Sequence, residues 1–333
     1  MGPREAIVAV TYRCNSRCVM CDIWRHEDGN DLEPAAYVSL PKSLQYINIS
    51  GGEPFIRKDL VDIFKVIRRR CPRARILVSS NGSMPELIEK TVSQMPGVAV
   101  RISIDGIGEV HDRVRGVNGS FERAKESTER LKSLGIKDLG IAATITKENA
   151  SQLMAVRRLA EEIGIEFTCA VAHSSTTYFG EQKDDVPDPI VAREHLKALA
   201  CRQLSSSRPK DWFRAYFTSG LIDYVDGNAR RINCLAGRRF FFVDPCGHVY
   251  PCNVLNMRMG NITEASFDDI QACSHDVLDK VKQCTQNCWM VCTVSPMMRR
   301  NPLRPLAWVL RAKASARLSV NGGANAPQTK CAP

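Results

Sequence analysis

The chain has 333 residues, 44% of them hydrophobic and 25% charged, with 46 lysines and arginines against 36 aspartates and glutamates for a net charge of +10. Such a composition excludes a fibrous or disordered chain, and no apolar run is long enough to span a membrane or placed to act as a secretory signal. Fourteen cysteines without an export signal point to thiolate ligands in a cytoplasmic protein rather than a disulfide framework. The positive charge permits phosphate-bearing partners, but no basic stripe is interleaved with aromatics, so no nucleic-acid partner is expected.

In chain order, apolar β-rich runs alternate with helical patterns. Strands are predicted at 6–11, 45–50, 75–80, 98–104, 139–146 and 165–171, and helices at 59–70, 84–95, 120–134 and 149–163, with Gly135 and Gly164 stopping the last two. Six βα units without a dinucleotide fingerprint imply an α/β fold, a parallel barrel or partial barrel, over residues 1–173. Residues 174–231 read as a helical bridge: a loop from Asp184 to Pro189 capping a helix at 190–204, a break at Ser205 to Pro209, and a second helix at 210–226. Residues 232–295 form a small cysteine-rich module with a β-hairpin turning at Pro245 and Cys246. In the last segment, 296–333, residues 303–317 suit a basic amphipathic helix and 321–333 a disordered tail. That helix is expected to dock on its own domain; contact with an anionic membrane surface is the alternative.

Two motifs carry chemistry. Cys14, Cys18 and Cys21, in C-x3-C-x2-C spacing directly after an apolar strand, offer three thiolates and leave one coordination position of a cluster open. The strand ending at Ser50 runs into Gly51-Gly52-Glu53-Pro54, where the glycines permit close backbone approach to a ligand and Glu53 places a carboxylate at a strand's C-terminal end. Together these resemble the radical S-adenosylmethionine (SAM) enzymes. In that family the three cysteines hold a 4Fe-4S cluster whose fourth iron is chelated by SAM, and the GGEP motif holds the methionyl amine. Reductive cleavage of SAM then gives a 5'-deoxyadenosyl radical that abstracts a hydrogen atom. The resemblance implies a partial (β/α)6 TIM-like barrel and a flavodoxin- or ferredoxin-type electron donor.

Polar residues at strand ends are expected at the barrel mouth. Ser79, Ser80 and Asn81 end the third strand, Ser103 and Asp105 the fourth, and Thr144 the fifth, while His111-Asp112-Arg113-Val114-Arg115-Gly116 follows on the next loop. In relatives with a C-terminal cysteine-rich module, matching SxDG and HDxxRG motifs lie near SAM. Ser79, Asn81, Ser103 and Thr144 are therefore expected to bind cofactor with Gly51, Gly52, Glu53 and Pro54, and Asp105 and Arg115 to act in catalysis. His173, after the sixth strand, is left out as a lone histidine.

The second cysteine field spaces Cys234-x12-Gly247-x4-Cys252, then Cys284-x3-Cys288-x3-Cys292. It resembles the SPASM and twitch modules that carry auxiliary 4Fe-4S clusters, but lacks the C-x2-C-x5-C portion of a full SPASM module. Six cysteines are too few for two fully cysteine-ligated clusters, so one auxiliary 4Fe-4S cluster is expected, held by Cys234, Cys252, Cys288 and Cys292. Cys288 and Cys292 are taken to lie one helical turn apart. Cys284 is the substitute ligand, Cys246 at the hairpin tip is disfavoured, and a closed zinc site is the other chemistry such a set serves. Cys71, Cys169, Cys201, Cys273 and Cys331 have no spacing partners and read as ordinary thiols. With the barrel starting near Met1, no leader-peptide-binding domain is expected ahead of it. A small-molecule substrate is thus favoured over a peptide, with a peptide maturase and a non-catalytic iron-sulfur or zinc scaffold as alternatives.

Overall fold

The computed structural model describes residues 2–26, 30–173, 175 and 187–321, the last six by backbone only. Among the described residues, nine strands form one sheet in the order β6-β5-β4-β3-β2-β1-β7-β8-β9. The first six, β1 (Glu5–Ala9), β2 (Tyr46–Ser50), β3 (Arg75–Ser80), β4 (Ala99–Ser103), β5 (Leu139–Ile145) and β6 (Glu166–Val171), pair in parallel and in chain order. Because β1 and β6 stand at opposite ends of this run without pairing, the barrel is open. All six lie where the alternation of apolar runs put them, within two residues.

The crossover helices are α1 (Leu60–Arg70), α2 (Pro85–Val92), α3 (Glu109–Arg115), α4 (Ser120–Ser133) and α5 (Leu153–Ile163). Their sequences explain their placement. In α1 the buried residues are Leu60, Ile63, Phe64 and Ile67, one stripe at helical spacing turned to the sheet, while Arg68, Arg69 and Arg70 close the last turn where the helix dipole favours cations. Burying each such side chain is worth about 1.5–3 kcal/mol. The segment containing His111 and Arg115, expected as a loop, is instead the short helix α3. It ends at Gly116 in the left-handed conformation (φ 64°), so the HDRVR run supplies one and a half turns that carry Arg115 inward.

After β6, the two helices expected in the 174–231 segment are present as α6 (Pro189–Leu204) and α7 (Pro209–Val225), which pack on each other and against α5 and β6. Asp188 caps α6 by accepting from the Ile190 and Val191 amides. The predicted hairpin is present as β7 (Phe240–Val243) and β8 (His248–Tyr250), followed by the short β9 (Gly260–Asn261). It is not a separate layer, however: β7 pairs in parallel with the outer edge of β1, from Glu5 with Phe240 to Val8 with Val243. All four residues of β7, Phe-Phe-Phe-Val, are buried, as a strand covered on both faces requires. Helices α8 (Phe267–Ala272), α9 (His275–Lys282), α10 (Val291–Arg300) and α11 (Leu303–Asn321) follow within the described residues.

The C-terminal helix takes the docked placement. Trp308 meets Tyr216 of α7 edge-on at 5.7 Å between ring centroids, and Val309 is buried. Among the described residues, no helix is long and apolar enough to cross a membrane. Asn321, expected to open the disordered tail, instead ends α11; the rest of that tail and most of the loop before α6 lie outside the described residues.

Candidate active site

The first cysteine loop leaves β1 and is gripped from three sides, two of them by backbone. The Gly52 amide donates to the Thr11 carbonyl (2.8 Å) and the Glu53 amide to that of Arg13 (2.9 Å). From α3, Arg115 and Val114 accept from the Arg17 and Val19 amides (both 2.9 Å). The glycines line the cavity and have a second role besides. A Cβ on Gly51 would stand 2.1 Å from the Thr11 carbonyl oxygen and one on Gly52 2.2 Å from that of Arg13, so their missing side chains let two protein loops meet rather than admit a ligand alone. Gly116 does the same on the other side, 2.4 Å from the Arg17 oxygen.

Asn81 makes the third grip. Its side-chain amide donates to Asn15 Oδ1 (2.7 Å) and Ser16 Oγ (3.0 Å), tying the end of β3 to residues between the cysteines. The same loop satisfies Glu53, which is fully buried and accepts from the Asn81 amide (2.7 Å), Ser80 Oγ (3.0 Å) and the Phe55 amide (3.1 Å). Burial pushes the Glu53 carboxyl up to about 7, against the opposing pull of these donors. Pro54, also buried, opens the 3-10 turn beyond it.

Arg115 joins the two motifs electrostatically. It pairs with Asp105 at 2.7 Å and donates to Cys18 Sγ at 3.6 Å. Burial works against its charge, but Asp105 and Cys18 more than offset that and hold it protonated. Asp105 in turn accepts from the Thr144 amide (2.7 Å), and its own amide donates to His111 Nδ1 (3.0 Å). Burial, then Arg115, pushes His111 down to about 3, so the ring is neutral.

One cavity of about 420 Å³ collects most of these groups. Cys14, Cys18, Cys21, Gly51, Gly52, Ser79, Asn81, Ser103, Arg115 and Thr144 line it; Glu53, Pro54 and Asp105 lie behind its wall. Asn48, Ser79, Asn253 and Arg299 add polar lining, with Ser79 donating to Asn48 (3.0 Å) and Arg299 paired with Glu5 and stacked 3.6 Å over Tyr46. Cys292 of the second field opens into the same cavity, and it packs against the apolar cluster that also touches Cys14 and Cys21.

In the second field, Cys252 has Cys234 and Cys288 as electrostatic neighbours, Cys292 has all three, and Cys284 adjoins Cys234 and Cys288. Cys246 sits in the hairpin turn, its amide donating to Asp244 (3.0 Å). Cys288 and Cys292 are not one helical turn apart: Cys288 belongs to the loop after α9 and Cys292 to the first turn of α10. Cys71 and Cys169 are buried in the main core, whereas Cys201, read as an ordinary thiol, is disulfide-bonded.

Two family profiles match. One is described as the Radical SAM superfamily, over residues 8–160, and the other as SPASM, an iron-sulfur cluster-binding domain, over 234–292. The chain belongs to the radical SAM superfamily. It is 27% identical to an AdoMet-dependent heme synthase of Methanosarcina barkeri over 81% of this chain and 82% of that protein. It is 31% identical to the mycofactocin maturase MftC of Mycolicibacterium smegmatis over 73% of this chain but 62% of the relative, and 23% identical to the subtilosin biosynthesis protein AlbA of Bacillus subtilis over 80% and 59%. In fold it is similar to anSMEcpe with bound AdoMet, with a TM-score of 0.65 at 16% identity, covering 93% of this chain and 99% of that one.

A radical SAM protein with this module takes a 4Fe-4S cluster, SAM and auxiliary iron-sulfur chemistry, which displaces the zinc reading. The donor set fits. Sulfurs in both fields receive hydrogen bonds of the kind that tune such clusters: from the Ser16 amide to Cys14 (3.4 Å), Arg115 to Cys18, the Ala236 amide to Cys234 (3.5 Å), the Leu255 amide to Cys252 (3.4 Å) and Arg230 to Cys288 (3.4 Å). Burial pushes Cys14 up to about 11 and Cys21 and Cys252 up to about 12, so iron binding must displace protons from these thiols.

Sequence reasoning passed over His173. Its Nδ1 lies 2.6 Å from the Val171 carbonyl, its Nε2 accepts from the Trp289 amide (3.1 Å), and its ring stacks on Tyr224. It therefore ties the end of β6 to the residue between Cys288 and Met290. A polar residue directly after a barrel strand was the available signal; its partner, 116 positions later, was not visible.

Proposed function

We infer that this radical SAM protein abstracts a hydrogen atom from a compact small molecule held in the cavity between its two cysteine fields, in cofactor or natural-product biosynthesis. The observation that carries this reading is the shared cavity: three thiols of one field and Cys292 of the other line one space of about 420 Å³, a size that suits a small ligand. When bound, the cluster and SAM supply one-electron cleavage of the sulfonium to a 5'-deoxyadenosyl radical, the electron coming from a flavodoxin- or ferredoxin-type donor. The protein's own residues position and shield. Glu53 sets its carboxylate behind the Gly51-Gly52 turn, where its charge would draw the methionyl amine, Arg115 sets a fixed positive charge against Cys18, and Asn48, Ser79, Asn253 and the Arg299–Glu5 pair offer polar anchors to a substrate.

Two relatives, the mycofactocin maturase MftC and the subtilosin biosynthesis protein AlbA, favour a peptide substrate as the second reading, while the heme synthase favours a small molecule. Anaerobically reconstituted, reduced protein should form 5'-deoxyadenosine from SAM; absence of that product returns the chain to a scaffold. Deuterium passing into 5'-deoxyadenosine from a labelled small molecule supports the first reading. Transfer from a labelled peptide alone replaces it with the second.

A further inference from the structure

The net charge is not spread along the chain. Nine of the 46 lysines and arginines, and none of the 36 aspartates and glutamates, fall in residues 280–333, so basic and acidic residues nearly balance over the first 279. Four of the nine, Arg304, Arg311, Lys313 and Arg317, belong to α11, a helix with two working faces. One face docks: Trp308 on Tyr216, buried Val309, and Lys313 over the Trp212 ring at 3.6 Å. The other turns Leu303 (71% exposed), Leu306 (40%) and Leu310 (60%) outward at positions i, i+3 and i+7, a single apolar stripe beside exposed Arg304 and Arg311.

We propose that this outer face of α11 seats the protein on an anionic lipid surface. Leucines on one side of a helix and arginines along its flank match an interface whose interior is apolar and whose headgroups are negative. Charge selects the occupant. A second copy would bring the same Arg304 and Arg311 to the face and be repelled, and a nucleic acid would leave the three leucines without an apolar partner. Docking on α7 fixes the helix before it meets lipid, so no folding cost is added on binding.

The full chain should float with vesicles of phosphatidylcholine containing one-third phosphatidylglycerol, and not with phosphatidylcholine alone. Leu303→Ser with Leu310→Ser, and separately Arg304→Gln with Arg311→Gln, should each weaken that binding about tenfold or more, because each leucine loses its apolar burial in the lipid and each basic contact is worth about fivefold. All four positions are exposed, so thermal unfolding should not move. Should a variant fold poorly, hydrogen exchange in the unmodified chain is the second measurement: exchange over α11 slows with anionic vesicles. Failure to float, unchanged binding by the leucine variant, unchanged exchange over α11, or preferential binding to RNA overturns the proposal.

Discussion

The two cysteine fields solve the same problem in different ways. The first gathers its thiols on one eight-residue loop and fixes that loop by backbone contacts from the Gly51-Gly52 turn and α3, with Asn81 closing the third side. The second draws its thiols from the two flanks of a hairpin, a loop and the start of a helix; backbone holds the hairpin flanks, through the β7–β8 pairing and the Gly237 amide on the Pro251 carbonyl (3.0 Å), but side chains hold the rest: His173 on the Trp289 amide, Arg230 on Cys288, and the Trp289 ring in the notch at Gly220. Backbone gripping keeps the open-site thiols in place whatever happens elsewhere in the cavity. Side-chain gripping makes the auxiliary site depend on how the bridge and barrel meet.

The sharpest way to break the comparison is to remove one thiol of the first field. Cys14→Ala, Cys18→Ala or Cys21→Ala should abolish SAM cleavage, with iron content falling by one cluster's share while the second field keeps its own. Full SAM cleavage by the Cys18→Ala protein would show that the loop is not the cluster site. In the second field, Cys234→Ala with Cys252→Ala should lower iron from about eight to about four per chain, the count for two four-iron clusters and then one. SAM cleavage should survive and substrate turnover fall. Loss of both clusters together would mean that the two fields are a single folding unit.

Glu53→Gln tests the wall between the motifs. It keeps shape but removes one charge-assisted contact, worth about 1.5–3 kcal/mol, so SAM affinity should fall roughly 10- to 150-fold with iron loading unchanged. Because burial raises Glu53 to about 7, the carboxylate predominates only above that value, and SAM binding should tighten as pH rises through it. In Glu53→Gln this increment should vanish, as equilibrium titrations at pH 6 and 8 would show.

How much was legible follows the same division. The six strands and the first thiol loop could be read because each is a local pattern: apolar runs between turn signals, and three cysteines within eight residues. The roles of Gly51, Gly52 and Gly116 were half legible. A glycine announces a close approach but not what approaches, and here it is the Thr11, Arg13 and Arg17 carbonyls. The parallel pairing of β7 with β1 was illegible because it joins residues more than 230 positions apart, and Phe-Phe-Phe-Val suits any buried strand. His173 and Trp289 escaped for the same reason: each looks ordinary until the barrel end and the last cysteine loop are brought together.

Gly220 offers the gentlest test of side-chain gripping. It lies in α7, where glycine costs helix stability and alanine would ordinarily be an improvement of up to about 1 kcal/mol. Here an added Cβ would stand 2.0 Å from the Trp289 ring, which is 2% exposed and held by its indole nitrogen donating to the Phe217 carbonyl (2.8 Å). The ring has no free direction to yield, so Gly220→Ala should destabilise the protein by about 1–3 kcal/mol despite its better helix propensity. The strain falls on Trp289, between Cys288 and Met290, so the auxiliary share of iron should drop while SAM cleavage by the first field is retained. Gly220→Ala with Trp289→Phe, which removes the clashing ring edge, should recover part of the lost stability. A single variant as stable and as iron-rich as the parent would show that the auxiliary loop is held by something other than this notch.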